Sequence, residues 1–397
     1  MAALFLAPLY ILVNLYIMRW LVLWMGACHR ILQSRAARCL VIAVYAALAT
    51  AMLTGFLIRI EPLRRILKTI GFFWLGCFAY TLQMVILFDL ARIALRHSRW
   101  KDALTGNHWF AVIGGIALFL ILAVSVYGIF HARNIKVKEY TIEISQEKVL
   151  EEPLRIALVA DLHLGYSVGE RHVKNLVEEI NSQDVDLVCI AGDIFDNEYE
   201  AIANPDRVAE ILSGIKSRYG VYACWGNHDV SEKILAGFTF RSAEAVERDS
   251  RFEVFLENAG IHLLEDEVIE IDNRFYLAGR KDPDKAEKEK ENRLSPEELL
   301  EGLKPELPVF VMDHQPDELE KLEQAGVCVD LSGHTHAGQM FPGNLFVRLR
   351  WENPVGAMKK GDMWSCVTSG AGVWGPAMRI GTDSEIMIIN IKETERI

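Results

Sequence analysis

The chain has 397 residues, seven cysteines and a net charge of −11. The charge is divided unevenly, because residues 1–138 carry +12 and the remaining residues carry −23. An acidic C-terminal part argues against nucleic acid as a partner, since binding that phosphate backbone requires a surface of lysine and arginine. The cysteines form no CxxC pair and so indicate neither a zinc ribbon nor a disulfide framework.

Four long apolar segments occupy the N-terminal part of the chain. They span about residues 2–27, 37–60, 69–95 and 109–130, and each has the roughly 20 residues that an α-helix needs to cross a bilayer. The first is too long for a signal peptide and lacks a basic start, so we expect it to be retained. Together they predict a transmembrane domain of four helices over residues 1–135, in contact with membrane lipids.

The basic residues of the connecting loops set the expected orientation of this domain. Their numbers on the two sides are nearly equal, so the first segment decides. Several arginines follow that segment, and only the terminal amine precedes it, which predicts an N-terminus outside the cytoplasm. After four spans the rest of this multi-pass protein of the cell membrane would also lie outside the cytoplasm.

From Tyr140 onward, short apolar runs alternate with amphipathic stretches, as in an α/β domain. The runs that predict strands are Leu154–Ala160, Leu187–Ala191, Val221–Cys224, Phe275–Ala278, Pro308–Met312, Val329–Ser332, Ser365–Ser369 and Glu385–Ile391. Helices are predicted at Arg171–Asn181 and Pro205–Arg218, and a capping box predicts a helix start at Ser295. The charged run Lys281–Arg293 is typical of a solvated loop.

Polar side chains follow five of these strands, at the point where each strand ends. They are Asp161 and His163, then Asp193, then Asn227, His228 and Asp229, then His314, and finally His334 and His336. Open α/β sheets place their sites at this edge, so we expect these side chains to lie together. In an extended backbone residues i and i+2 point to the same side, so each Asp-x-His or His-x-His pair could reach one metal.

The residue types indicate which metals this site would bind. Carboxylate, imidazole and amide ligands without cysteine suit Mn²⁺, Fe²⁺, Zn²⁺ or Mg²⁺ rather than thiophilic ions. Seven candidate ligands exceed one coordination sphere, which implies two ions that share one carboxylate. Two ions about 3.5–4 Å apart can stabilise both the attacking and the leaving oxygen of a phosphoryl transfer. The pattern therefore favours hydrolysis of a phosphate ester.

These blocks, in this order, resemble the calcineurin-like metallophosphoesterase superfamily. The continuation Ala337-Gly338-Gln339, with a later stretch from Ser369 to Gly381, is similar to its membrane-associated YkuE-like branch and to UDP-2,3-diacylglucosamine pyrophosphatases. The resemblance covers roughly residues 140–397. It implies a sandwich of two mixed β-sheets flanked by helices, here preceded by the transmembrane bundle.

The resemblance also implies roles for the individual residues. One metal would be held by Asp161, His163, Asp193 and His336, and the other by Asp193, Asn227, His314 and His334. His228 would face the scissile phosphate without binding metal, and Asp229 would orient it. Purple acid phosphatases carry a tyrosine ligand three positions after the shared aspartate, where this sequence has Asp196. That difference favours Mn²⁺ over a redox iron centre.

The expected reaction is hydrolysis of a phosphodiester or pyrophosphate bond by a metal-activated hydroxide, with His228 protonating the leaving oxygen. A membrane anchor raises the effective concentration of substrates in the bilayer, so the substrate would be lipid-linked, for example UDP-2,3-diacylglucosamine. One alternative is a phosphodiesterase or phosphomonoesterase acting on head groups or small soluble esters. Another is a non-catalytic membrane module with a structural metal site.

Two further features concern the substrate. Arg379 could hold a substrate phosphate, or it could pair with one of the many acids. The segment Phe341–Gly356 mixes apolar residues with Arg348 and Arg350. It could lie at a membrane interface or shape a lipid groove, or it could be an ordinary hairpin with one buried face.

Overall fold

The computed structural model describes residues 2–97, 106–145, 148, 150, 152–232, 234–235, 238–239 and 246–393. These residues form two compact units. The first contains the described residues of Met1–Phe130, Ile234–Arg241 and Gly375–Met378, and the second contains those of His131–Lys233, Ser242–Trp374 and Arg379–Ile397.

The N-terminal part of the chain is helical. Its elements are α1 (Ala2–Cys28), a 3-10 turn (Arg30–Gln33), α2 (Arg35–Ala49), α3 (Ala51–Leu57), α4 (Glu61–Arg96) and α5 (Asn107–His131). Among the described residues, three helices are long and apolar enough to cross a membrane: α1 from Ala7, α4 and α5. Helices with the length and hydropathy expected of membrane spans are thus confirmed at three of the four predicted positions.

The second predicted span is broken into α2 and α3. The two helices are bent by 56° and supply a fourth span only if the bent pair crosses the membrane as one. The Thr50 hydroxyl donates to the carbonyl of Ala46 at 2.8 Å, and the Thr54 hydroxyl donates to the carbonyl of Thr50 at 3.0 Å. Bonds from threonine to the preceding turn bend helices, and mean hydropathy does not reveal them.

The second unit is built on two six-stranded sheets. In chain order the described strands are β1 (Ile135–Ile144), β2 (Leu154–Val159), β3 (Leu187–Ala191), β4 (Val221–Cys224), β5 (Ile234–Leu235), β6 (Phe238–Thr239), β7 (Ile261–Leu263), β8 (Glu267–Ile271), β9 (Phe275–Gly279), β10 (Val309–Met312), β11 (Val329–Ser332), β12 (Gly356–Lys360), β13 (Met363–Val367) and β14 (Ser384–Glu393). One sheet has the order β1-β14-β2-β3-β4-β7 and the other β12-β13-β11-β10-β9-β8, while β5 and β6 pair in the first unit.

Both sheets contain parallel and antiparallel neighbours, which confirms the predicted pair of mixed sheets. One apolar core contains side chains of both sheets, among them Leu158, Cys189, Phe310 and Leu331, all fully buried. Strands that are buried on both faces read as continuous apolar runs, which is why these central strands can be predicted from the sequence.

Helices accompany the sheets along the chain: α6 (Glu170–Asn181), α7 (Pro205–Leu212), α8 (Ser250–Asn258), α9 (Pro283–Glu289), α10 (Pro296–Leu299), α11 (Leu319–Gln324) and α12 (Gly343–Arg350), with 3-10 turns at Tyr199–Ala201 and His336–Gly338. The capping box at Ser295 is confirmed. The run Lys281–Arg293 is not the expected solvated loop, because it contains α9 and buries Lys285. β1 starts at Ile135, ahead of the expected domain start at Tyr140.

Candidate metal centre

The predicted site residues lie in loops that follow strands of both sheets. β2, β3 and β4 are parallel neighbours in one sheet, and β10 and β11 are parallel neighbours in the other. The blocks that begin at Asp161, Asp193 and Asn227 follow the first three strands, and those that begin at His314 and His334 follow the other two. The loops of both sheets therefore meet at one place, as the strand-end argument predicted.

The backbone at this place differs from the expectation of extended Asp-x-His and His-x-His pairs. The left-handed region is adopted by Asp161, His163, Asp193, His334 and His336, with φ between 47° and 67°. Such a conformation costs of order 1–3 kcal/mol for a residue other than glycine, and it persists where the surroundings hold it in place. Because these residues are left-handed, the direction of each side chain depends on its own backbone angles. The rule that residues i and i+2 of an extended strand point to the same side therefore does not apply here.

The first group of donor atoms comes from Asp161, His163 and His336, all buried. The two imidazole Nε2 atoms are 3.1 Å apart, and Nε2 of His336 is 3.6 Å from Oδ1 of Asp161. Asp161 and His163 thus reach one group, as expected from the sequence.

The second group comes from Asp193, Asn227, His314 and His334. Nε2 of His314 lies 3.2 Å from Oδ2 of Asp193 and 3.1 Å from Oδ1 of Asn227. Nδ1 of His334 lies 2.8 Å from the same Asn227 oxygen. His334 and His336 therefore belong to different groups, so the expectation that this pair reaches one metal is wrong.

Asp193 connects the two groups. Its Oδ2 is 3.2 Å from Nε2 of His314 in the second group and 3.7 Å from Nε2 of His163 in the first. Its Oδ1 accepts the backbone N–H of His228 at 2.7 Å. The close approach of this carboxylate requires glycine at position 226, because a Cβ on Gly226 would lie 2.3 Å from Oδ1 of Asp193.

The spacing of the donor atoms fits two small divalent cations. Ligands that bind a metal at about 2.1 Å with tetrahedral or octahedral angles are about 3.0–3.4 Å apart, close to the separations within each group. Burial lowers the pKa of His334 to about 3 and that of His336 well below its usual value, so both imidazoles keep a lone pair. Burial also raises the pKa of Asp161 to about 6, so a cation would stabilise its ionised form.

Hydrogen bonds outside the groups orient the donors. Nδ1 of His314 lies 2.8 Å from the carbonyl of Ala191, and donation to it leaves Nε2 free to bind metal. From α9, the Nζ atoms of Lys285 and Lys288 donate to the carbonyls of Asp229 and Asn227 at 2.7 and 2.9 Å. These lysines were missed because their charged run is typical of a surface loop.

His228 lies beside the donor groups, with its ring centroid 5.1 Å from that of His163. Its Nδ1 is 2.5 Å from Oδ1 of Asn197, and burial lowers its pKa to about 4. Asn197 was missed by the sequence argument, although it lies only four residues after Asp193, in the same loop.

Asp229 does not take the orienting role that the sequence argument gave it. Its carboxylate accepts the backbone N–H groups of Gly226 at 2.7 Å and Phe195 at 2.8 Å. These bonds hold the loops after β3 and β4 together. The partner that the structure gives to the His228 ring is the Asn197 amide.

Arg379 is fully buried, and the expectation that it holds a substrate phosphate or forms a salt bridge is wrong. Its guanidinium donates to the carbonyls of Ser369, Gly370, Gly372 and His336. Burial lowers its pKa to about 10. Arg379 therefore links the loop after β13 to the backbone of His336 by hydrogen bonds.

Comparison with known proteins agrees with this geometry. Residues 154–338 match the family described as calcineurin-like phosphoesterase, a range that contains every predicted metal ligand from Asp161 to His336. The chain therefore carries a calcineurin-like metallophosphoesterase domain, and the predicted family is confirmed.

Relatives of this chain include proteins named as metallophosphoesterases and one named as a pyrophosphatase. A "transmembrane protein with metallophosphoesterase domain" of Danio rerio is 28% identical over 98% of this chain and 89% of its own length. An uncharacterized metallophosphoesterase of Helicobacter pylori is 29% identical over 64% of each protein. A UDP-2,3-diacylglucosamine pyrophosphatase of Chlamydia trachomatis is 23% identical over 47% of this chain and 64% of its own length.

Replacing the shared carboxylate tests the two-group arrangement. We expect Asp193→Ala to lose both metal ions, because Oδ2 of Asp193 lies within reach of imidazoles in both groups. Elemental analysis of the purified full chain measures the ions per chain. Asp206→Ala, which removes an exposed carboxylate at the start of α7, should keep the ions. Full occupancy in Asp193→Ala would contradict a shared ligand.

Proposed function

We propose that the protein is a membrane-anchored two-metal phosphoesterase that hydrolyses a phosphodiester or pyrophosphate bond. The observation that carries this proposal is the pair of donor groups joined by Asp193, with the His228 imidazole beside them. A purely structural metal site has no need of that imidazole, which argues against a non-catalytic module.

The residues divide into ligands and a proton donor. Asp161, His163 and His336 would hold one cation, Asn227, His314 and His334 the other, and Asp193 would contact both. When bound, two such cations supply a nucleophile from water at neutral pH and offset the charge on the phosphoryl oxygens. Mn²⁺ is the proposed metal, since the donors are carboxylates, an amide and imidazoles without thiolate, and Asp196 replaces the tyrosine of the redox iron centres.

His228 would bind a phosphoryl oxygen and give a proton to the leaving oxygen. Donation from Nδ1–H to the Asn197 carbonyl oxygen fixes the ring and leaves Nε2 facing the substrate. Because burial lowers the pKa of His228 to about 4, Nε2 would be unprotonated in the free site. It would gain a proton from solvent when the anionic phosphate binds beside it, and would then pass that proton to the leaving oxygen. Asn197 would therefore be a positioning residue, acting through His228.

Removing the imidazole tests the proposed chemistry. We expect Mn²⁺-dependent turnover of bis-p-nitrophenyl phosphate by the full chain, and a loss of about 10²- to 10⁴-fold in kcat for His228→Ala, as for other general acids. Elemental analysis should find the metal content unchanged in this variant. His262→Ala, which alters a solvent-exposed imidazole on β7, is the matched control. A variant that loses its metals would overturn the assignment of His228 as a non-ligand.

The Asn197 amide can be tested separately from the ring that it holds. We expect Asn197→Ala to lower kcat by about 10- to 100-fold with metal content retained, the effect typical of groups that orient a site's imidazoles. Asn197→Asp keeps an acceptor oxygen for Nδ1 and should restore most of the lost turnover. Equal losses in both variants, or unchanged kcat in Asn197→Ala, would speak against a positioning role.

The substrate we propose is lipid-linked, with UDP-2,3-diacylglucosamine as the specific candidate. Support comes from the membrane-spanning helices of the same chain and from a relative named as a pyrophosphatase of that lipid. Incubation with a panel of lipid-linked pyrophosphates, phospholipids and soluble diesters, followed by mass spectrometry, identifies the bond that is broken. Cleavage of head groups or soluble esters alone would favour the phosphodiesterase or phosphomonoesterase alternative.

We further propose that the catalytic unit lies outside the cytoplasm. The arginines after the first span support an outside N-terminus, and the placement requires α2 and α3 to cross the membrane together. Val254 on α8 is 51% exposed, so Val254→Cys, with the exposed Cys28 and Cys39 changed to serine, is a suitable probe. An impermeant thiol reagent should label it in intact cells. Labelling only after lysis would place the unit in the cytoplasm.

A further inference from the structure

The segment after the GHTH block forms a helix whose apolar side chains are uncovered in the described structure. α12 runs over Gly343–Arg350, and none of its residues is fully buried. It is therefore not the hairpin with one buried face that the sequence allowed. The exposed fraction is 54% for Leu345, 65% for Phe346 and 84% for Leu349, with Phe341 just ahead of the helix at 48%.

The side chains of α12 are arranged as in a helix that lies at a membrane surface. Successive residues are rotated by about 100°, so Leu345, Leu349 and Phe346 share an arc of about 100°. On the same estimate Arg348 and Arg350 border this arc on its two sides. An apolar stripe flanked by arginines lets the stripe enter a bilayer while the guanidinium groups reach the head groups.

The opposite side of α12 is turned toward the rest of its own unit. Asn344, Val347 and Arg348 line a cavity of about 180 Å³ together with Lys138 and Thr382. The side of the helix that carries Asn344 and Val347 thus faces its own unit, and the apolar stripe is the side that it presents outward. A stripe of this kind in water favours burial against another surface.

The charge of the α12 segment itself favours an anionic partner. No aspartate or glutamate occurs between Asp330 and Glu352, although the part of the chain after residue 138 carries −23. The only formal charges in this stretch are Arg348 and Arg350, both exposed. Anionic head groups attract such a segment, and the same chain carries helices able to span a membrane.

α12 is also close to the metal centre. The residue after the helix is Trp351, whose ring stands edge-on to the ring of His334 at 5.3 Å between centroids. The guanidinium of Arg350 lies over the Trp351 ring, with Cζ 4.6 Å from the ring centroid. A second tryptophan, Trp374, is 38% exposed and lies 6.1 Å from the ring of His228. Tryptophan is enriched at the level of lipid head groups.

We propose that α12 is an interfacial helix that docks on an anionic bilayer and brings phosphorylated head groups to the metal centre. Leu345, Phe346 and Leu349 enter the membrane surface, and Arg348 and Arg350 contact lipid phosphates. The docking stands on the surface of α12 alone, and its role in substrate supply rests on the proposed phosphoesterase function.

Membrane contact can be measured without any reference to activity. The full chain, with Cys28 and Cys39 changed to serine, carries a fluorophore at Leu349→Cys and is placed in nanodiscs that contain anionic lipid. Nitroxide-labelled lipids should quench this fluorophore at least about threefold more than one at Val254→Cys, an exposed position on α8. Equal quenching at the two positions would overturn the proposal.

Two more arms of the experiment separate the possible partners. Arg348→Gln with Arg350→Gln should lower the quenching at position 349 in anionic discs, and unchanged quenching would overturn the choice of an anionic surface. Cross-linking of two copies through Leu349→Cys, without quenching by lipid, would identify a second copy of the chain as the partner and overturn membrane docking.

The role in substrate supply is tested by comparing turnover of a bilayer-embedded substrate with turnover of a soluble one. We expect Leu349→Glu to lower turnover of a bilayer-embedded phosphodiester by about tenfold or more, while turnover of soluble bis-p-nitrophenyl phosphate stays unchanged. Equal losses on both substrates would overturn this role and make α12 a structural element. Absence of any turnover by the unaltered chain would instead be a failure of the proposed function, and the quenching result would still decide whether α12 docks.

Discussion

Seven donor side chains, most of them buried, are brought together at one place, and most of the surrounding structure follows from that constraint. Buried carboxylates with imidazoles at separations of 3.2–3.7 Å are costly unless a counter-charge stabilises them. Asp193 is at the centre of this arrangement, since one of its oxygens faces both donor groups and the other accepts a backbone N–H. Two bound cations would turn this electrostatic cost into a stabilising interaction.

The strained loops around the centre are held by interactions that face away from it. Arg379 ties the loop after β13 to the carbonyl of His336, and the carboxylate of Asp229 joins the loops after β3 and β4. Lys285 and Lys288 fix the loop after β4 from the side of α9. Buried ionic and polar groups here are used to fix backbone geometry, which explains why two residues first assigned to catalysis or substrate binding prove to support the loops.

The helical N-terminal part and the phosphoesterase domain follow each other closely in the chain, and both carry exposed apolar surface. α5 ends at His131 and β1 starts at Ile135, so only residues 132–134 separate a membrane-spanning candidate from the catalytic sheet. The apolar stripe of α12 gives the catalytic unit its own affinity for a lipid surface, and the residue after this helix, Trp351, contacts the imidazole of His334. A soluble phosphoesterase would gain nothing from such an exposed stripe, whereas an enzyme with a substrate in the bilayer would.

The sequence by itself determined the family, the central strands and the set of donor residues. Apolar runs such as Leu187–Ala191 are continuous because the strand is buried on both faces. Polar residues at the ends of such strands indicate a functional site. Only the tertiary structure decided which donors belong together, since left-handed turns at residues such as His334 and His336 aim neighbouring side chains at different groups. It likewise assigned the His228 ring to Asn197, buried Arg379 among carbonyls and exposed the stripe of α12. These outcomes depend on contacts between segments far apart in the chain, and local patterns of hydropathy and charge carry no information about such contacts.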